Sequence, residues 1–114
     1  MPTEGVLTVH ALDTAAGRPA AGLSLSLFGI EAAARSMLGT WKTNTDGRCD
    51  APLLSGSALK AGIYEIVFDV AAWRIGDPGF YDLVPIRFRI DDPNAHTHIP
   101  LLLSPYGYTT YRGS

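Results

Sequence analysis

The chain has 114 residues, and nine basic against eleven acidic side chains leave it a formal charge of −2. That length makes residues 1–114 a single domain, able to bury about 65% of the surface its unfolded chain exposes, and the charge excludes the basic footprint of a nucleic-acid or anionic-membrane binder. The lone Cys49 excludes an internal disulfide framework and an all-cysteine metal site, no apolar stretch approaches the ~20 residues that cross a bilayer, and Met1-Pro2-Thr3-Glu4-Gly5 has no basic segment leading into a hydrophobic one, so a cytoplasmic protein without a secretory signal is expected.

Along the chain the dominant pattern is alternation with a period of two, in short runs separated by turn residues, which predicts half-buried strands. Over residues 5–13, Leu7, Val9 and Ala11 share one face, and Thr8 and His10 the other. After the Ala16-Gly17-Arg18-Pro19 turn, Leu23, Leu25 and Leu27 alternate with Ser24 and Ser26. Residues 31–36 read as helix or loop, and residues 38–43 as a weaker strand. Asn44-Thr45-Asp46-Gly47 is a turn signal, followed by a second weak strand over residues 48–53. Over residues 63–70, Tyr64, Ile66, Phe68 and Val70 form the apolar face, with Glu65 and Asp69 pointing away. A helical turn is expected near residues 71–75, then a turn at Asp77-Pro78-Gly79. Over residues 83–90, Val84, Ile86, Phe88 and Ile90 alternate with Arg87 and Arg89. Beyond the turn at Asp91-Asp92-Pro93-Asn94, residues 96–103 set Thr97, Ile99, Leu101 and Leu103 opposite His96, His98 and Pro100. A weak strand over residues 106–111 ends the series. Short strands at this spacing predict an all-β antiparallel sandwich. The pattern leaves strand order open.

His10 and His98 each project away from the core their own strand builds. A solitary strand histidine is first a partly exposed polar side chain; imidazole also titrates near neutrality, which suits a base. His96 and His98, two residues apart on one face, are read as a solvated edge pair rather than metal ligands, because no third ligand is near in sequence. Arg48 opens a strand after Asp46-Gly47, and its planar fork of donors suits carbonyl or carboxylate groups. Asp13 and Asp46 read as turn and cap residues, and Trp41 and Trp73 as packing. Cys49 reads as a small packed residue rather than a nucleophile. No nucleophile elbow, phosphate loop or nicotinamide fingerprint is present. The closing run is unusually aromatic. Tyr106, Tyr108 and Arg112 alternate onto one face, and with Tyr111 they predict a docked tail.

Four separated motifs carry a family resemblance. They are Leu7-Thr8-Val9-His10-Ala11-Leu12-Asp13 with Gly17-Arg18-Pro19-Ala20, then Thr45-Asp46-Gly47-Arg48, then the run His96-Thr97-His98-Ile99-Pro100-Leu101-Leu102-Leu103-Ser104, and the terminal Tyr111-Arg112-Gly113-Ser114. In this order they resemble the 5-hydroxyisourate hydrolases, the transthyretin-related enzymes of urate breakdown. The resemblance implies a transthyretin-like (prealbumin-like) sandwich of two four-stranded sheets, with one short helix after the fifth strand. It implies cofactor-independent hydrolysis of the cyclic amide of 5-hydroxyisourate to 2-oxo-4-hydroxy-4-carboxy-5-ureidoimidazoline, with no metal. It also implies a homotetramer with sites at the subunit interface. His98 would be the general base and His10 its partner, an assignment the two could exchange. Arg48 would bind purine oxygens and stabilise developing charge, and Ser114 would complete the site through its hydroxyl or α-carboxylate. Tyr111 and Arg112 would meet the substrate and hold the tail. Thr97 stands where the family usually has an aromatic residue, and Asp82 where proline often follows the Phe-Tyr pair; both bear on loop shape and substrate fit. The alternative is a transthyretin-like carrier of a small ligand without catalysis; an immunoglobulin-like adhesion module is weaker still.

Overall fold

A computed structural model describes residues 5–74, 76 and 79–113. The opening residues 1–4, Ile75, Asp77, Pro78 and Ser114 therefore lie outside the described residues, and with them the end of the expected helical turn and part of the expected turn after it. In chain order the elements are β1 (Val6–Asp13), β2 (Arg18–Pro19), β3 (Ser24–Glu31), β4 (Ala34–Lys42), β5 (Leu54–Ser55), β6 (Gly62–Asp69), α1 (Val70–Trp73), β7 (Leu83–Ile90), β8 (Thr97–Ser104) and β9 (Gly107–Thr110). One sheet runs β2-β1-β8-β9, with β5 also pairing β1; the other runs β4-β3-β6-β7. The expected sandwich with one short α-helix forms, but the first sheet has five strands rather than four, because the two-residue β5 adds to β1, and the helix follows the sixth strand rather than the fifth.

Period-two alternation accounts for the packing. Leu7, Val9 and Ala11 of β1 and Ile99, Leu101 and Leu103 of β8 face inward, against Leu25 and Leu27 of β3, Ile66 and Phe68 of β6 and Val84 of β7. Burying each large side chain contributes about 1.5–3 kcal/mol. Trp41 and Trp73 pack half-buried against this core, as expected of them. Glu65 does leave the core face, yet it is buried there: Arg35 lies 3.3 Å from it and Arg87 3.1 Å. A carboxylate on a sheet's outer face is thus covered by its neighbours' guanidinium groups rather than solvated.

Three local expectations change. Residues 31–36 are neither helix nor loop; β3 and β4 form a hairpin closed by Ala32 and Ala33, both left-handed at φ 50° and 70°. Such a turn matches strand twist, but alanine gives no sign of it, because a left-handed L-residue costs about 1–2 kcal/mol. Residues 48–53 do not form a strand, and Cys49 lies in an irregular segment. That segment still satisfies the edge of β1: Ala11 donates to the Gly47 carbonyl at 2.8 Å, and Leu53 donates to that of Leu7 at 2.8 Å. Tyr106 sits in the turn between β8 and β9, outside any extended run.

One pairing within the sandwich positions the site. β1 and β8 run parallel, in the register Thr8↔His98 and His10↔Pro100. The other ladders are antiparallel.

Candidate active site

The parallel register sends the apolar members of β1 and β8 inward, so their polar members line up on the sheet's outer face. Thr8 Oγ1 lies 2.7 Å from His98 Nδ1 and 2.8 Å from His96 Nε2. The His10 and His98 rings have centroids 6.4 Å apart, and the His96 and His98 rings 6.0 Å. His10 donates through Nε2 to the Asp46 carbonyl at 2.9 Å.

That carbonyl belongs to a loop built for close approach. Asn44 Oδ1 accepts from the backbone of Asp46 at 2.9 Å and of Arg48 at 3.1 Å, and Asn44 Nδ2 donates to Asp50 at 3.0 Å. Gly47 has φ 75°, and a Cβ there would collide with the Ala11 carbonyl oxygen, so only glycine lets the loop lie against β1. Asp46 and Asp13 act as the expected turn residues; Asp13 Oδ1 accepts from Ala15 and Ala16. Arg48 is delivered beside the histidines and pairs with no carboxylate among the described residues.

The result is a cleft of about 270 Å³ lined by Thr8, Val9, Arg48, Cys49, Ala51, His96 and His98. Burial first, then the positive charge of Arg48 and the neighbouring imidazoles, hold His98 below the usual histidine range. The lowered pKa favours the neutral imidazole, the form a base requires. Burial and Asp50 push the Cys49 thiol up, which keeps it protonated and unreactive, in line with a packed residue. No group of three or more His, Cys, Asp or Glu side chains is placed to hold a metal ion among the described residues.

The tail is docked through its backbone. β9 pairs with β8, and Gly113 donates to the His98 carbonyl at 2.9 Å. Its rings are another matter: Tyr106 is 78% exposed and Tyr111 57%. Tyr111 and Arg112 do not line the histidine cleft of their own chain; they border a second cavity, of about 340 Å³, along β7 and the start of β8. Ser114 lies outside the described residues. The structure thus gathers His98 and Arg48 in one cleft, with the His10 ring beside that of His98 but outside the lining, and sets Tyr111 and Arg112 apart. Thr8 and Asn44 were missed as site residues. The signal for Thr8 was its place on the His10 face; that for Asn44 was a side-chain oxygen two residues before Asp46, able to close the turn.

The family described as HIUase/Transthyretin matches residues 7–113. A Rhizobium meliloti protein named 5-hydroxyisourate hydrolase 2 is 51% identical, with all of both chains covered. The structure of Klebsiella pneumoniae 5-hydroxyisourate hydrolase superposes with a TM-score of 0.82 at 35% identity, covering 96% of this chain and 99% of that one. Sea bream transthyretin, solved in complex with thyroxine, gives a TM-score of 0.86 at 27% identity over 94% of this chain and 93% of that one.

Proposed function

The chain belongs to the HIUase/Transthyretin family, and from that membership we propose how its cleft carries out the hydrolysis of 5-hydroxyisourate. The protein is a 5-hydroxyisourate hydrolase, in keeping with relatives of that name matched over their whole length. The observation that carries the residue assignment is one cleft shared by His98, held below the usual histidine range, and the Arg48 guanidinium, which pairs with no carboxylate among the described residues.

In this scheme His98 is the general base. Its Nδ1 faces Thr8, so Nε2 takes a proton from water as the oxygen attacks the ring carbonyl. The new C–O bond places negative charge on the carbonyl oxygen, where Arg48 donates hydrogen bonds. Collapse breaks the ring C–N bond, and the proton held by His98 passes to the leaving nitrogen. His10, with Nε2 tied to Asp46, acts as the partner that orients water. Ser114 remains assigned to the site, and Tyr111 and Arg112 are assigned to substrate brought in across a subunit boundary. The product is 2-oxo-4-hydroxy-4-carboxy-5-ureidoimidazoline. No cofactor enters this scheme.

A homotetramer with sites at the subunit interface belongs to the same proposal. Its support is apolar surface concentrated near the tail: Phe80 is 71% exposed, Tyr106 78% and Tyr111 57%, and rings of that size are commonly covered by another surface. A cytoplasmic location is likewise proposed. The carrier alternative draws on the likeness to thyroxine-bound transthyretin, but pure binding leaves a depressed histidine beside a guanidinium without a task. The deciding experiment generates 5-hydroxyisourate in situ with urate oxidase and follows its ultraviolet absorbance with and without the protein. Accelerated decay is expected; unchanged decay in the presence of folded protein refutes the scheme.

A further inference from the structure

One polar group in the cleft, the Thr8 hydroxyl, enters that scheme only as the neighbour of His98 Nδ1. Two imidazoles converge on the Thr8 hydroxyl, His96 at 2.8 Å and His98 at 2.7 Å. The hydroxyl owns one proton and can accept two hydrogen bonds. At least one of the two rings must therefore donate to it. The chemistry of His98 decides which. Its Nδ1 is the atom facing Thr8, which leaves Nε2 as the nitrogen open to water. A neutral imidazole carries a single N–H, so an Nε2 with a free lone pair requires the hydrogen on Nδ1.

We propose that Thr8 is a positioning residue that accepts the Nδ1–H of His98 and so holds the ring in the one neutral form whose Nε2 can act as a base. The proton of Thr8 is then directed at His96 Nε2, which accepts it. Besides its charge, which helps to lower the pKa of His98, His96 acts on His98 through this hydroxyl, as the acceptor that fixes its direction. The scaffold makes the arrangement stiff. Thr8 is the ladder neighbour of His98 in the middle of β1, not a loop residue, and its branched Cβ restricts χ1. On the opposite edge, Gly113 lies against the His98 ring. The kinetic consequence rests on the hydrolase scheme; the position of the hydrogen does not.

Thr8→Val keeps the shape and strand preference while removing the oxygen. Nitrogen-15 spectra of the histidine rings, with His98 identified by its loss in His98→Asn, show which nitrogen bears hydrogen with no substrate present. The expected result is Nδ1–H on neutral His98 in the parent protein and a mixture of both forms in Thr8→Val. The kcat of Thr8→Val should fall about tenfold with KM changed by no more than about twofold, and Thr8→Ser, which restores the oxygen, should recover most of the loss. His98 protonated on Nε2 in the parent protein overturns the proposal, as does parental kcat in folded Thr8→Val. A parent protein with His98 held as Nδ1–H but no hydrolysis overturns the reaction scheme and upholds the role of Thr8.

Discussion

Gly113→Ala places one methyl group where the tail meets the candidate base. A Cβ built on Gly113 would lie 2.6 Å from His98 Cδ2, 3.3 Å from His98 Cγ and 3.2 Å from Pro100 Cγ. Carbon atoms in contact prefer about 3.5–4.0 Å, so something must yield by about 1 Å. Gly113 is not among the residues with a left-handed φ, so the effect is steric rather than a matter of backbone freedom. Pro100 is buried, and His98 is held by Thr8 on its far side. The softer response is for the tail to lift, losing the Gly113 hydrogen bond to His98 at a cost of about 0.5–1.5 kcal/mol. Either response disturbs the site: the ring shifts, or Gly113 parts from the His98 carbonyl. A displacement of about 1 Å can cost ~10²-fold in rate, about 2.7 kcal/mol in the barrier. The assay is the rate of 5-hydroxyisourate loss at saturating substrate, with thermal melting by circular dichroism as the stability control. Expected are a kcat about 10²-fold lower and a melting temperature within a few degrees of the parent. Gly107→Ala, whose nearest contact would be an ordinary 3.4 Å to Ser104 Oγ, should be close to parental in both. If Gly113→Ala turns over at the parental rate, the contact between tail and base has no catalytic meaning.

Further expectations follow from the same cleft. His98→Asn should lower kcat by ~10²-fold or more, whereas His96→Asn, which removes no base, should do far less; equal losses would reverse the assignment along β8. Because His98 must be neutral and its pKa is depressed, activity should persist on the acid side of the usual histidine range and fall only as pH drops through the lowered value. Arg48→Gln removes one of the positive charges that depress it, so the acid limb of kcat/KM should move to higher pH while kcat falls; an unmoved limb would show that Arg48 does not face His98 in solution. Light scattering should give about four times the mass of one chain, and a fully active monomer would rule out the interfacial site.

Much of this site could be read from the spacing of residues. Alternation alone put His10, His98 and Thr8 on outward faces, and most inward positions of β1, β6, β7 and β8 are buried, although Glu65 and Pro100 are buried on the other face. Which strands become neighbours is another kind of information. The parallel contact between β1 and β8 depends on every other strand finding its place, and no local pattern encodes it. The same limit explains why Thr8 was passed over: its importance lies in facing His98 across that contact. The Ala32-Ala33 turn and the irregular course of residues 48–53 were hidden for a different reason. In the first, tertiary pairing overrides the preference of alanine; in the second, single hydrogen bonds to β1 replace the ladder that a strand-like sequence suggested.

The pairing of β1 with β8 also sets a timetable. Thr8 and His98 are 90 residues apart in sequence, and contacts of such separation form late, because a long loop must close before they contribute anything. At a synthesis rate of about 5–20 residues per second, β1 leaves the ribosome roughly 5–20 s before its partner exists. For that interval the edge of β1 that β8 will occupy is unpaired, even as β3, β6 and β7 arrive to cover its apolar face. A chain released before β8 is made would carry His10 and Arg48 but could never assemble the cleft, so the capacity for chemistry appears only once β8 is in place.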